Sequence, residues 1–253
     1  MLFDVDETLV DRDGAARNAI IDHLTELGLP AGPEALERWV RLEDLHYGRY
    51  LAGELSFTDQ RRERARAMAG LALSDEEADR WLAGYIRRFE AAWRAFPDVG
   101  SVLDALSGLR LGVVTNLDVV HQSTKLETVG LSHRFRCLVG PDTVGVPKPA
   151  PQIFHAACAA LGVRPREAAY VGDRLDVDAL GATRAGLFGV WLDRRGPCRV
   201  PGRVPGRGYG RLRDLRRDWH DASRDRVPTI RSLRELPKLL ARRRGSVCPD
   251  VYT

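Results

Sequence analysis

From Phe96 onward the chain alternates short β-branched runs with amphipathic stretches, and this alternation restricts the fold more than any other feature. Leu111-Gly112-Val113-Val114, Cys137-Leu138-Val139, Ala169-Tyr170-Val171 and Phe188-Gly189-Val190-Trp191-Leu192 read as buried strands. Helical periodicity falls between them, over about 102–107, 119–129, 151–161 and 177–185. Leu2-Phe3-Asp4-Val5 adds a strand at the start, and 229–236 reads as a last short strand and helix. Strands separated by helices argue for an α/β fold, a Rossmann-like parallel sheet with helices on both faces.

Residues 15–94 break the alternation. Ile20, Leu24 and Leu27 mark one helix, which stops at Gly28 and Pro30, and a second spans about 33–51 with Leu36, Val40 and Leu45 on one side. A third covers about 58–71, and a fourth opens on the capping box Ser74-Asp75-Glu76-Glu77. Four helices with no strand among them predict a helical domain, 15–94, inserted into a core of 1–14 and 95–240. Within that core, about 196–225 is rich in Arg, Gly and Pro and reads as a flexible insert, and 241–253 as a basic C-terminal tail.

Charge is divided along the same lines. From Arg194 to the end there are 17 Arg and Lys against 6 Asp and Glu, in a chain that carries 39 against 35 in all. The preceding residues are therefore net acidic, and the basic balance describes the tail alone. Its Arg-rich part, about 196–225, has few aromatics (Tyr209, Trp219) and its acids interrupt the run, so a solvated insert is expected rather than a nucleic-acid surface. No apolar run is long enough for a membrane helix, and the N-terminus shows no secretory pattern. The four cysteines form no CxxC pair; a reduced, cytoplasmic setting is expected.

In an open parallel sheet, ligands bind at the carboxyl ends of the strands. Four such positions are polar here: Asp4-Val5-Asp6-Glu7-Thr8, Thr115-Asn116, Lys148 in Val146-Pro147-Lys148-Pro149, and Gly172-Asp173 running to Asp178. Brought together, the carboxylates would repel without a cation, and an all-oxygen set suits Mg²⁺. A metal, a lysine and backbone N–H donors suit a phosphoryl group. Singly, each residue has a plainer role: Asp4 or Asp6 in a turn, Thr115 at a strand end, Lys148 as a solvated loop charge. Lys148 stands out because the chain has only three lysines among its 39 basic residues. Asp118 and Asp176 read as cap or loop acids, and the histidines form no metal-binding pattern.

In order and spacing, DxDxT at 4–8, Thr115 after a buried strand, Lys148 before a proline and GDxxxxD at 172–178 resemble the haloacid dehalogenase superfamily of hydrolases. The resemblance covers about 1–193 and 228–240, and it makes the helical insert a cap domain. It implies that Asp4 is the nucleophile, forming an aspartyl-phosphate, and that Asp6 is the general acid and base. It implies Mg²⁺ on the Asp4 carboxylate, the Asp6 backbone carbonyl and Asp173, with Thr8 and Asp178 supporting. Asp178 would act through a metal-bound water or orient Lys148. Thr115, Asn116 and Lys148 would bind the phosphoryl oxygens, with Lys148 neutralising charge in the transition state.

Within the superfamily, Asp6 and Asp173 argue against the metal-free dehalogenases. The absence of lysine before Lys125 excludes the phosphonate-cleaving branch, and Glu7 departs from the glycine common in the mutases. Members usually have several apolar residues before the nucleophile, whereas three precede Asp4 here. The expectation is an upstream start or a weakened central strand. The reading is a Mg²⁺-dependent phosphomonoesterase of a small phosphorylated metabolite, such as a sugar phosphate, phosphoglycolate, a nucleotide or flavin mononucleotide. Its alternatives are a catalytically impaired member serving as a binding or regulatory module, and polyanion binding through the Arg-rich tail.

Overall fold

The computed structural model describes residues 1–196 and 227–245, so most of the Arg-rich insert and the end of the basic tail lie outside the described residues. Strand β1 (Leu2–Phe3) is followed by helices α1 (Arg12–Glu26), α2 (Pro33–Leu51), α3 (Phe57–Ala69) and α4 (Asp75–Ala91). The alternating part comprises α5 (Val99–Ala105), β2 (Gly112–Val114), α6 (Val119–Thr128), β3 (Leu138–Val139), α7 (Pro141–Val144) and α8 (Pro151–Leu161). It continues with β4 (Ala169–Gly172), α9 (Leu180–Arg184), β5 (Phe188–Leu192), β6 (Thr229–Ile230) and α10 (Leu236–Gly245). No helix among the described residues is long and apolar enough to cross a membrane.

Among the described residues all six strands are parallel, in the order β3-β2-β1-β4-β5-β6. Short as it is, β1 sits near the centre, with Leu2 opposite Gly112 on one side and Tyr170 on the other. The Asp4 N–H donates to the Val171 carbonyl at 2.9 Å, so the ladder fixes the backbone up to the first acidic residue. Under one face, Leu2 and Tyr170 pack with Ile153, Phe154, Ala157 and Leu161 of α8. Burying Phe154, with its ring edge-on to Tyr170 at 5.1 Å, contributes about 2–3 kcal/mol through the area removed from water.

The expected helix over 177–185 is modified. Leu175–Ala179 forms a π-helical turn, and α9 begins only at Leu180. The wider turn carries the Asp178 carboxylate back beneath β4, where one oxygen accepts from the Arg174 N–H at 3.0 Å. Gly172 makes room for this: a Cβ there would lie 2.5 Å from the Asp178 carboxyl carbon. Such turns recur at functional sites.

The described residues fall into two compact units, the α/β unit and the helical segment Arg12–Trp93. The helical unit is built on Ile20 and Leu24 of α1, Trp39 of α2, Met68 of α3 and Trp81, Leu82 and Tyr85 of α4. Its caps follow the sequence: the Ser56 hydroxyl accepts from the Asp59 N–H, and the Ser74–Glu77 capping box is formed in both directions. Two expected core positions are corrected. Leu27 is exposed, because α1 ends at Glu26 and the chain turns away at Gly28, whose φ is 67°. Leu45 is exposed as well, since α2 buries Trp39 and His46 instead. Glu43, between them on the same stripe, is held by Arg12 and Arg64, and this internal charge hid the periodicity.

Candidate active site

In this strand order the chain runs outward from β1 to β3 on one side and from β4 to β6 on the other. The reversal falls between β1 and β4, and the crevice beyond their carboxyl ends is where open α/β sheets take ligands. Asp4 and Asp173 follow these two strands, and Thr115 follows β2.

Lys148 is the centre of the arrangement. It is 4% exposed, so the solvated-loop alternative fails. Its Nζ donates to Asp4 Oδ1 at 2.7 Å, Asp178 Oδ1 at 2.8 Å and the Tyr170 hydroxyl at 2.8 Å, and lies 3.1 Å from the Val114 carbonyl. The Tyr170 hydroxyl in turn donates to Asp178 Oδ1 at 2.9 Å. Burial alone would lower the ammonium's pKa, but Asp178 and Asp4 overcome it and hold it above the ordinary lysine range. The lysine's loop is pinned to the end of β2 by Asn116, whose side chain accepts from the Lys148 N–H at 2.6 Å and donates to its carbonyl at 2.9 Å.

The carboxylates outnumber the ammonium. Burial pushes Asp4 up to about 7, with Lys148 opposing and Asp178 and Asp6 adding to the rise. Asp173 is raised well above its ordinary value by burial and by the charges of Asp4, Asp178 and Glu7. Asp4, Asp173 and Asp178 each offer a carboxylate oxygen within 4.8 Å of one another. An all-oxygen set of closely spaced, buried carboxylates fits a hard divalent cation. Asp178 shares its two oxygens with Lys148, Tyr170 and the Arg174 N–H, an orientation that favours holding the lysine.

Thr115 is 2% exposed, and its oxygen accepts from the Leu117 N–H and from Gln122 Nε2, both at 3.1 Å. With both acceptor positions filled, its hydroxyl can act toward a further group only as a donor. Thr8 is fully buried and reaches Asp4 Oδ2 at 3.4 Å, a long contact. The Asp6 carboxylate is held from α6: Oδ1 accepts from Lys125 Nζ at 2.7 Å and Oδ2 from Gln122 Nε2 at 3.1 Å. The next residue, Glu7, has a φ of 61° and pairs with Arg195. Asp118 caps α6 by accepting from the His121 N–H, and Asp176 pairs with Arg174.

Asp4, Thr8, Thr115, Asn116, Lys148, Asp173 and Asp178 thus stand together at one sheet edge, with Asp6 beside them. Tyr170, Gln122 and Lys125 join them without having been singled out by the sequence. The scarcity of lysine that drew notice to Lys148 applied equally to Lys125.

A family profile described as haloacid dehalogenase-like hydrolase matches residues 1–186. The chain is 46% identical over 103 residues, 40% of its length, to a glyceraldehyde 3-phosphate phosphatase of Methanopyrus kandleri, of which the match spans 44%. A protein of the same description from Methanothermobacter thermautotrophicus is 32% identical over 196 residues, 74% of this chain and 82% of that one. In structure, the chain resembles the HAD-hydrolase YfnB of Bacillus subtilis, solved bound to magnesium. The TM-score is 0.69 at 20% identity, over 94% of this chain and 96% of that one. The chain belongs to the haloacid dehalogenase-like hydrolases, and is an enzyme of that hydrolase family.

Proposed function

We propose that this enzyme is a Mg²⁺-dependent phosphomonoesterase of a small phosphorylated metabolite. The observation that carries the reading is the Lys148 ammonium locked between Asp4 and Asp178, which sets a fixed positive charge against a carboxylate at the switch point of the sheet. The phosphatase names of the similar proteins support it.

In this reading Asp4 attacks phosphorus and forms an aspartyl-phosphate, splitting one difficult displacement into two. Lys148 holds the Asp4 carboxylate in place and offers charge to the phosphoryl oxygens as they move. Thr115 donates its hydroxyl proton to one of those oxygens, and the Asn116 N–H adds a second donor. Asp6 gives a proton to the departing alkoxide, then takes one from the water that cleaves the acyl-phosphate. The Asp4 and Asp173 carboxylates and the Asp6 carbonyl would hold Mg²⁺, which when bound supplies positive charge between anionic nucleophile and anionic substrate. The helical unit would serve as a cap that excludes water and selects the substrate.

The test is phosphate release from a panel of esters, including glyceraldehyde 3-phosphate, phosphoglycolate, hexose phosphates and nucleotides, with Mg²⁺ and with excess EDTA. Turnover of at least one ester, abolished by EDTA, is expected. Binding of these esters without release of phosphate would point to a binding module.

A further inference from the structure

We propose that Gln122 and Lys125 of α6 are positioning residues that hold the Asp6 carboxylate in register with the Thr115 hydroxyl. The inference rests on the phosphatase reading above. The two side chains are three residues apart on one helical face, and they are 0% and 1% exposed. Lys125 takes one oxygen of Asp6 at 2.7 Å and Gln122 the other at 3.1 Å, which fixes both the position and the plane of the carboxylate. The same Gln122 nitrogen lies 3.1 Å from Thr115 Oγ1. One amide therefore ties together two groups that arrive from the ends of different strands.

Three details favour a functional reason over a packing one. An ionised carboxylate only accepts, so in that state the amide nitrogen faces Asp6. That orientation leaves Gln122 Oε1 buried without a partner among the described residues. An unpaired buried amide oxygen is a cost that an apolar side chain would avoid, and the neighbouring Leu126 shows that this face accepts one. Lysine, finally, is the exception in a chain dominated by arginine. A compact ammonium engages one oxygen of Asp6 and leaves the other to Gln122, whereas a planar guanidinium matches both at once.

When the P–O bond breaks, its electron pair goes to the leaving oxygen, and the proton on Asp6 must already be aimed there. In the second step the Asp6 carboxylate takes a proton from the water attacking the acyl-phosphate. Misaiming Asp6 should hurt esters of poor leaving groups far more than those of good ones, which need little protonation.

The full-length protein with Mg²⁺ is assayed on an alkyl phosphate and on p-nitrophenyl phosphate, as wild type, Gln122→Met and Lys125→Met, with circular dichroism confirming the fold. On the alkyl ester kcat/KM, which covers only the steps up to departure of the leaving group, should fall by roughly a hundred-fold, and on the aryl ester by less than about ten-fold. Equal losses of kcat/KM on both esters would overturn the inference. If Lys125→Met does not fold, Gln122→Met, which orphans no buried ammonium, decides it alone. Wild-type protein that turns over neither ester would overturn the phosphatase reading itself.

Discussion

In the helical unit Glu43 lies between Arg12 and Arg64, and although burial alone would raise its pKa, the two guanidinium groups hold it below the ordinary glutamate value. At the sheet edge the balance is reversed: Asp4 and Asp173 are pushed upward, because burial and neighbouring carboxylates outweigh Lys148. Both clusters hold charge largely out of water. In the first, Glu43 and Asp13 answer Arg12 and Arg64, so the charges balance and hold helices together; the second keeps a surplus of negative charge that a ligand can use. Whether buried ionic groups are internally balanced is thus a way to tell a structural cluster from a reactive one.

The strongest way to break this contrast is at the proposed nucleophile, Asp4. Asp4→Asn keeps the shape of the side chain but cannot form the acyl-phosphate, so turnover should fall by roughly a thousand-fold or more while the fold survives. An Asn variant that kept several per cent of wild-type activity would remove Asp4 from its role.

Next comes the cation. Mg²⁺ at about a hundred times its Kd should stabilise the protein by about 2.7 kcal/mol, read as a rise in Tm, and Asp173→Asn should lose most of that rise. Ca²⁺, which takes more oxygens at longer distances, should support little turnover. An unchanged Tm with Mg²⁺ would leave the surplus of carboxylates unexplained.

Removing a carboxylate should have opposite consequences in the two units. Glu43→Gln leaves two arginines facing each other and should cost about 2 kcal/mol in denaturant unfolding, toward the low end because Glu43 is partly solvated. Asp173→Asn in metal-free protein relieves repulsion and should raise Tm slightly. A Glu43→Gln variant as stable as wild type would erase the distinction.

A final test is the pH dependence of metal-free stability. Asp4 has its folded pKa raised from 3.8 to about 7, so its contribution is fully present below pH 3.8 and is lost as pH rises through 7. Glu43 has its folded pKa depressed, so its contribution is present above 4.5 and is lost as pH falls. Between pH 5 and 7, Asp4→Asn should therefore flatten the fall in stability with rising pH. An unaltered slope would count against the crowding of Asp4.

Much of the site was legible because strand ends are fixed by pattern. A buried run followed at once by polar residues places Asp4, Thr115 and Asp173 on the same edge, whatever the details of packing. What lay inside helices was harder to read. Gln122 and Lys125 share a face with Leu126, and periodicity reports that the face is buried without saying that it is polar. Tyr170 looks like a core aromatic from either side of the sheet, and only its hydroxyl's neighbours reveal otherwise. The π-helical turn at 175–179 escaped because it is driven by the Asp178 carboxylate reaching Lys148, a contact between residues 30 apart in sequence. Glu43 shows the same difficulty in the helical unit, where a charged residue on the inner stripe made Leu45 look internal.

The placement of the lysines also has a practical side in covalent labelling. Lys125 and Lys148 are sealed beneath carboxylates, while Lys238 on α10 is exposed. An amine-directed dye or tether should therefore leave the two buried side chains untouched in native protein and mark Lys238 as the sole reactive lysine. The arginine-rich remainder of the surface is inert to such reagents, so a fluorophore or surface linker can be attached far along the sequence from every proposed catalytic group, and its loss of selectivity on unfolding would report the exposure of Lys125 and Lys148.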